Sequence, residues 1–300
     1  MLARLQQITT LSLLAAALGW LLLFWGQSPL LACAGLVLIT MGHSVFLAME
    51  FVALRAVNQR DPVPQAGWGE LLRAWWGETL TAPRVFCWRQ PFWSNAVPDA
   101  VAPAAAVQGR RGVVFIHGFV CNRGLWTPWL KELRARGHAF AAVNLEPVFG
   151  SIDDYVPLIE DAVQRVARVT GLPPVLVCHS MGGLAARAWL KARSADARVH
   201  HVITIGSPHH GTWLGRFSLA RNARQMRLGS DWLRRLEQDT PAQRHARFTC
   251  WYSNCDNIVF PASTATLAGA DNRLVRGVAH VQLAFDAAVM RASLALIAAM

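Results

Sequence analysis

Lysine is almost missing from this chain: Lys131 and Lys191 are the only two in 300 residues, so the formal charge of +11 is carried by arginine. No zinc-ligand spacing, recognition-helix pattern or aromatic RNA-binding strand accompanies that charge, which leaves it without a nucleic-acid reader, and no nucleic-acid partner is expected. Two uses of the arginines remain open, a face against anionic lipid headgroups and an ordinary solvated surface. Nucleotide, flavin and metal motifs are also missing, so the expectation is no cofactor and no metal. The six cysteines, Cys33, Cys87, Cys121, Cys178, Cys250 and Cys255, lack Cys-x-x-Cys spacing and the density of a disulfide scaffold. They read as single buried thiols, with Cys250 and Cys255 near enough to pair in an oxidising compartment.

Charge is missing most conspicuously at the start, where Arg4 is the only Lys, Arg, Asp or Glu before Glu50. Residues 8–26 and 29–54 are each long enough to cross about 30 Å of hydrocarbon as helices. Gln27-Ser28-Pro29 supplies the turn, and Ala15, Gly19, Gly35 and Gly42 allow close interhelical approach. Residues 1–57 therefore read as a transmembrane helical hairpin. Arg4 lies before it and Arg55 and Arg60 after it, while the turn has no basic residue. The positive-inside rule then puts both ends, and everything after residue 55, in the cytoplasm of a bacterial-type inner membrane. The rival, a cleaved signal peptide, fits poorly with a second apolar run following the first. His43 and Glu50, on about one face of the second span, are expected to be a packing hydrogen bond and a group reaching the interface rather than an ion path.

Residues 58–111 carry Pro62, Pro64, Pro83, Pro91, Pro98 and Pro103, which argues for a linker with first strands rather than long regular elements. Trp68, Leu71, Leu72, Trp75 and Trp76 can share one helical face, followed by Trp88, Phe92 and Trp93. These rings suit either the headgroup layer or packing beneath the following domain.

From 112 to 300 the pattern becomes short apolar runs alternating with amphipathic helix-length segments, the signature of βα units on a buried, mostly parallel sheet. Strands are expected at 112–117, 139–144, 174–179, 200–205 and 247–252, and helices at about 124–136, 152–170, 182–194 and 281–299. The third strand runs into Cys178-His179-Ser180-Met181-Gly182-Gly183 and then a helix. A serine on such a turn is held exposed at the positive end of a helix, with Gly182 and Gly183 required by the close approach of strand and helix. Cys178 stands where the usual Gly-x-Ser-x-Gly motif has its first glycine.

Over 112–285 the chain resembles the α/β-hydrolase superfamily, specifically bacterial lipases and esterases. The resemblance rests on Phe115-Ile116-His117-Gly118-Phe119, on the serine turn, on Ile205-Gly206-Ser207-Pro208-His209-His210-Gly211-Thr212, and on Asp256-Asn257-Ile258-Val259-Phe260-Pro261 followed by Gly277-Val278-Ala279-His280. It implies an α/β-hydrolase fold, a mostly parallel doubly wound sheet with a helical cap insertion at about 212–246. It further implies a nucleophile Ser180, a base His280 and an orienting acid Asp256, with the N–H groups of Phe119 and Met181 as oxyanion donors and His117, Gly118 and His179 as loop support. The activity implied is hydrolysis of carboxylic esters, lipid-like or otherwise apolar, through an acyl-enzyme. Transfer of the acyl group to an alcohol uses the same machinery, and a non-catalytic membrane or transport-associated scaffold is the reading from another class.

Rival residues weigh less. His179 adjoins the serine, and neighbours in a tight turn point apart; His201, His209 and His210 have no carboxylate or cysteine at ligand spacing. Asp271 and Asp286 are the alternative acids. The insertion is read as a cap with apolar residues toward the nucleophile, or else as an ordinary packed helix pair.

Overall fold

The chain is helical from its second residue, ahead of the first apolar run. In the computed structural model, which describes residues 1–102, 108–238, 240 and 242–300, helix α1 runs Leu2–Trp25 and turns back into α2, Pro29–Met41. Ser28 caps α2 by accepting from Leu31 N, and Pro29 occupies the first turn, where no N–H is needed. Trp20 Nε1 donates to Leu31 O at 3.1 Å, and a Cβ on Gly35 would overlap the same indole. Gly35 thus allows the close approach, whereas Gly19 has open space and Ala15 is exposed. By length and composition α1 can cross a membrane.

The second span, expected as one helix over 29–54, is two. Helix α3, His43–Val57, follows α2 after a 49° bend at Gly42, and only the bent pair together has the length and composition of a span. Beyond the bend the chain leaves the hairpin: Phe51 and Leu54 are buried with Leu71, Ala74, Cys255, Phe260 and Ala279 in a cluster of their own. Each fully buried side chain of that size contributes roughly 1.5–3 kcal/mol, enough to hold α3 on the following domain. The ring nitrogens of His43 lie 3.2 and 3.1 Å from the carbonyls of Thr40 and Thr79, and its one N–H donates to one of them, a packing bond as expected. Glu50 departs from expectation, since it is buried against the following domain.

Most of the expected linker is helix. α4 spans Trp68–Pro83, passes into a π-helix at Arg84–Arg89 and ends in the short α5, Gln90–Phe92. Pro83 and Pro91 stand at the two junctions, where the hydrogen-bond pattern changes and a missing N–H breaks no regular ladder. Instead of first strands, the described residues of this part have one isolated bridge, Ala100 to Phe140; Pro103 lies outside the described residues. Trp68, Leu71, Leu72 and Trp75 do share one face, lining a groove against Phe51 and Val52 of α3, and Trp76 adjoins Trp75 at 6.0 Å between ring centroids. Leu71, Ala74 and Glu78 are buried, while Trp68, Leu72, Trp76 and Leu80, four residues apart, form an exposed stripe.

The remainder is the expected alternation: β1 Val113–Ile116, α6 Thr127–Ala135, β2 Phe140–Ala142, α7 Val156–Thr170, β3 Val175–His179, α8 Met181–Ala192, β4 His201–Ile205, α9 Arg221–Gln225, α10 Asp231–Glu237, α11 Ala242–His245, β5 Phe248–Ser253, β6 Asp271–Val275, α12 His280–Leu283 and α13 Ala287–Ala299. The strands form one parallel sheet in the order β2-β1-β3-β4-β5-β6. Its central strands are apolar without alternation because both faces are covered. Val114, Ile116, Leu176 and Cys178 pack with α7 and α8, whereas Val113, Phe115, Val175 and Val177 pack with α6 and α13. Residues 280–299 also have the length and composition of a span, yet Val289, Leu294 and Ile297 belong to the core under the sheet.

The expected insertion between β4 and β5 is helical, but it does not face the serine. Ala223, Met226, Trp232, Leu233 and Leu236 join the core on the α7/α8 side. It is pinned there by the Arg187–Glu237 ion pair and by Trp232 Nε1 donating to Asp153 at 2.9 Å. All six cysteines are free, and two are not buried: Cys33 on α2 is exposed and Cys87 half-buried.

Candidate active site

Ser180 ends β3 and begins α8 with φ 55° and ψ −129°, a conformation that costs a non-glycine residue roughly 1–3 kcal/mol. The turn is held by Ser180 N donating to Ile205 O at 2.9 Å and Gly183 N donating to Ser180 O at 3.1 Å. A Cβ on Gly182 would overlap Ile116 O, and one on Gly183 would overlap Ser207 Oγ. Both glycines are therefore needed for the spacing of the turn. Cys178, in the first glycine's place, is accommodated inside β3, fully buried between Ile116 and Thr204.

His280 and Asp256 come from loops at the same end of the sheet. His280 Nδ1 lies 2.9 Å from Asp256 Oδ2, and the other carboxylate oxygen accepts from Ile258 N at 3.0 Å and Val259 N at 2.7 Å. Gly206, at the end of β4 with φ 58°, makes room for the pair, since a Cβ there would come within 2.9 Å of Asp256 Oδ2. Burial of the imidazole opposes its protonation, but the Asp256 carboxylate, helped by Glu78 and Glu50, outweighs that and raises His280 above its ordinary value. Ser180 and His280 line one cavity of about 210 Å³. Among the described residues the serine hydroxyl forms no hydrogen bond, an arrangement common before substrate arrives. Asp271 is exposed on the edge strand with Arg273, and Asp286 caps α13, so neither alternative acid is near.

Leu145 N donates to His117 Nε2 at 3.0 Å, so the proton of this ring sits on Nδ1, 2.9 Å from the Gly118 carbonyl. Burial lowers His117 to about 4, which keeps it neutral. Gly118 abuts the serine, because a Cβ there would be 2.7 Å from Ser180 Cβ. Phe119 follows it into the cavity wall, and Met181 offers one of the first N–H groups of α8, which have no partner inside the helix. His179 packs against His280 at 4.7 Å between ring centroids and places Nε2 3.2 Å from the His280 carbonyl. His209 is engaged with Thr204 Oγ1 at 3.0 Å.

The roof of the cavity comes from the N-terminal helices rather than from the insertion: Leu47 and Glu50 of α3, Glu78 and Ala82 of α4, and Phe86 of the π-turn. Glu78 Oε1 and Oε2 accept from Val281 N and Gln282 N at 2.9 and 3.0 Å. Glu50 accepts from Asn257 Nδ2 at 2.6 Å, and Asn257 Oδ1 accepts from His280 N at 3.2 Å. Sequence reasoning missed Glu78 altogether and named Asn257 only within the Asp256–Pro261 segment, without a role. The available signal was an acidic residue in register with Leu71 and Ala74 on the inward face of α4.

A strained serine turn, a paired imidazole and carboxylate at the same sheet edge, and a six-stranded parallel sheet covered on both faces agree with the sequence match: the family model described as the alpha/beta hydrolase family fits residues 113–297. The chain belongs to the alpha/beta hydrolase family. Two solved structures share the fold of this alpha/beta hydrolase. The mature form of the Bacillus licheniformis lipase BlEst2 is 18% identical, with a TM-score of 0.56 over 66% of this chain and 94% of that one. The Aspergillus fumigatus lipase B is 19% identical, with a TM-score of 0.52 over 63% of this chain and 54% of that one. No curated protein matches the chain. Both likenesses leave out about a third of the chain, and the family match begins only at residue 113.

Proposed function

We propose that this alpha/beta hydrolase is a membrane-seated serine esterase that cleaves apolar, lipid-like carboxylic esters through an acyl-enzyme on Ser180. The carrying observation is the single cavity lined by both Ser180 and the Asp256-bound His280, under a roof built from the N-terminal helices. His280 Nε2 takes the hydroxyl proton as Ser180 Oγ attacks the ester carbonyl, and the N–H groups of Phe119 and Met181 receive the negative oxygen. The protonated imidazole then gives its proton to the leaving alkoxide, and a water repeats the cycle to release the acid. Asp256 holds the tautomer and stabilises the imidazolium.

The apolar ester follows from where the roof sits. α1 and α2 leave the cavity side as a hairpin with an exposed apolar surface, and the α4 stripe continues that surface with Trp88, Phe92 and Trp93. An exposed apolar surface of this extent suits lipid rather than water. A nearly all-apolar groove of 740 Å³, lined by Leu11, Leu14, Trp88 and Phe92 among others, lies between α1 and the π-turn. The hairpin spans a bacterial-type inner membrane with both ends in the cytoplasm, and the site opens at the inner leaflet.

The test is to incubate membranes with the full chain and with Ser180→Ala and to profile the lipids. Loss of an ester lipid with matching free acid, present only with the unsubstituted chain, supports the reading; transfer of the acyl group to another alcohol identifies acyl transfer. Fluorophosphonate labelling reads the mechanism. Folded protein left unlabelled at Ser180, or short p-nitrophenyl ester hydrolysis surviving Ser180→Ala, would overturn it.

A further inference from the structure

Four residues outside the serine, acid and base set meet at the His280 loop, and two of them come from the helices that roof the site. α12 begins at His280, and its N-cap residue Ala279 has no side-chain acceptor, so the N–H groups of Val281 and Gln282 need an outside partner. Glu78, with 2% of its surface exposed, supplies both oxygens, one to each. From the other side Glu50 holds the amide of Asn257, whose carbonyl oxygen takes the His280 N–H itself. His179 adds a contact to the His280 carbonyl. The backbone of the base is thus gripped at N, at O and at the next two N–H groups, and two of these grips begin on α3 and α4. Burying a carboxylate is costly unless it is bonded, so a wholly apolar roof over an apolar substrate would have omitted both.

We propose that Glu50 and Glu78 are positioning residues for His280, through which the N-terminal helices hold the catalytic histidine in place. The inference rests on the esterase reading above. Glu78 keeps His280 aimed at Ser180 through two backbone bonds, and Glu50 does so through Asn257. The titratable groups around Glu78 are Glu50 on α3, Asp256 after β5, His280 on α12 and His179 at the end of β3. Burial pushes Glu78 up to about 7 against the pull of its two N–H bonds, and its carboxylate in turn helps raise the proton affinity of His280. The acid limb of activity therefore belongs to the cluster rather than to one ring.

The experiment uses the full chain in detergent micelles with p-nitrophenyl butyrate, comparing the unsubstituted protein with Glu78→Gln, Glu78→Asp and Glu50→Gln. Glutamine at 78 keeps one acceptor and turns an NH2 against the second N–H. Glu78→Gln is expected to lower kcat by about 10- to 100-fold with KM changed less than about threefold, as for a misaligned base. Its acid limb in kcat/KM moves to lower pH by about half a unit or more, because a negative neighbour of the imidazole is gone. Glu78→Asp keeps the charge and so keeps the limb while recovering part of kcat. A merely structural carboxylate would lower the melting temperature without moving the limb. Unchanged kcat and an unmoved limb in Glu78→Gln overturn the proposal; should that variant not fold, an unmoved limb in Glu50→Gln does so. If the unsubstituted protein itself neither hydrolyses the ester nor takes a fluorophosphonate, the esterase reading fails; an active parent with equally active variants sinks only this inference.

Discussion

Replacing Asp256 by asparagine tests the proton path most directly, because the surrounding backbone dictates what the amide can do. One carboxylate oxygen accepts from both Ile258 N and Val259 N, and the other faces His280 Nδ1 at 2.9 Å. An asparagine that keeps its carbonyl on the two N–H groups must point NH2 at Nδ1. That nitrogen then has to accept, the ring proton moves to Nε2, and the face toward Ser180 becomes a donor that cannot take the serine proton. In serine proteases this wrong tautomer costs about 10⁴ in rate, or about 5 kcal/mol of barrier. The flipped amide restores the tautomer but leaves two buried N–H groups facing NH2, at roughly 1–3 kcal/mol each. Flipping is therefore populated at the few-per-cent level at best, and the expected loss of kcat/KM lies between about 30-fold and 10⁴-fold. The assay is ester hydrolysis and fluorophosphonate labelling of the full chain, with a thermal melt to show that the fold is intact. Asp256→Asn within tenfold of the parent would refute both the acid assignment and the argument from the two backbone donors.

Two further outcomes follow from the same geometry. The raised proton affinity of His280 means that the base is neutral only at higher pH, so kcat/KM should climb through an acid limb lying above about 6.5, the ordinary histidine value; a pH profile with its limb at or below 6 contradicts this. Gly182→Ala puts a Cβ onto Ile116 O and within 2.8 Å of His117 O, both backbone atoms that cannot swing away. Overpacking of this kind costs about 1–3 kcal/mol and lowers the melting temperature by about 2–4 °C per kcal/mol, while displacing Met181 N–H costs about 100-fold in kcat. Gly19→Ala, with open space around it, should change neither, and equal behaviour of the two variants would remove the close-approach argument.

The sheet and the serine turn were legible because they obey local rules. Buried parallel strands are apolar without alternation, and the turn requires small residues at fixed offsets from the serine. β6 escaped notice because Asp271–Val275 is an edge strand, half exposed, with no apolar run to mark it. Residues 68–92 were misread for a different reason: proline counts as a breaker only where its N–H is needed. Pro83 and Pro91 sit where the α-helix passes into the π-helix and out of it, so the segment stays helical through both. The roof was assigned to the insertion after β4 on fold resemblance alone. Yet Trp232 and Leu236 had an apolar layer nearer than the serine, on α7 and α8, and packed there.

Glu50 shows how an isolated charge in an apolar run should be weighed. A lone carboxylate in a membrane span is costly, and the two inexpensive solutions are to reach the interface or to find a partner inside protein. The bend at Gly42 provides the second, because it turns α3 from the hairpin onto the domain and brings Glu50 to Asn257. α4 completes the arrangement with the reverse of an ordinary amphipathic helix: its exposed stripe is Trp68, Leu72, Trp76 and Leu80, and its buried face carries Glu78. Such a helix is at odds with water on one side and satisfied only by the α12 N–H groups on the other. Seating it in lipid resolves the first conflict while docking on His280 resolves the second. On the proposed reading the same element has to meet both conditions at once, which would link membrane contact to the geometry of His280.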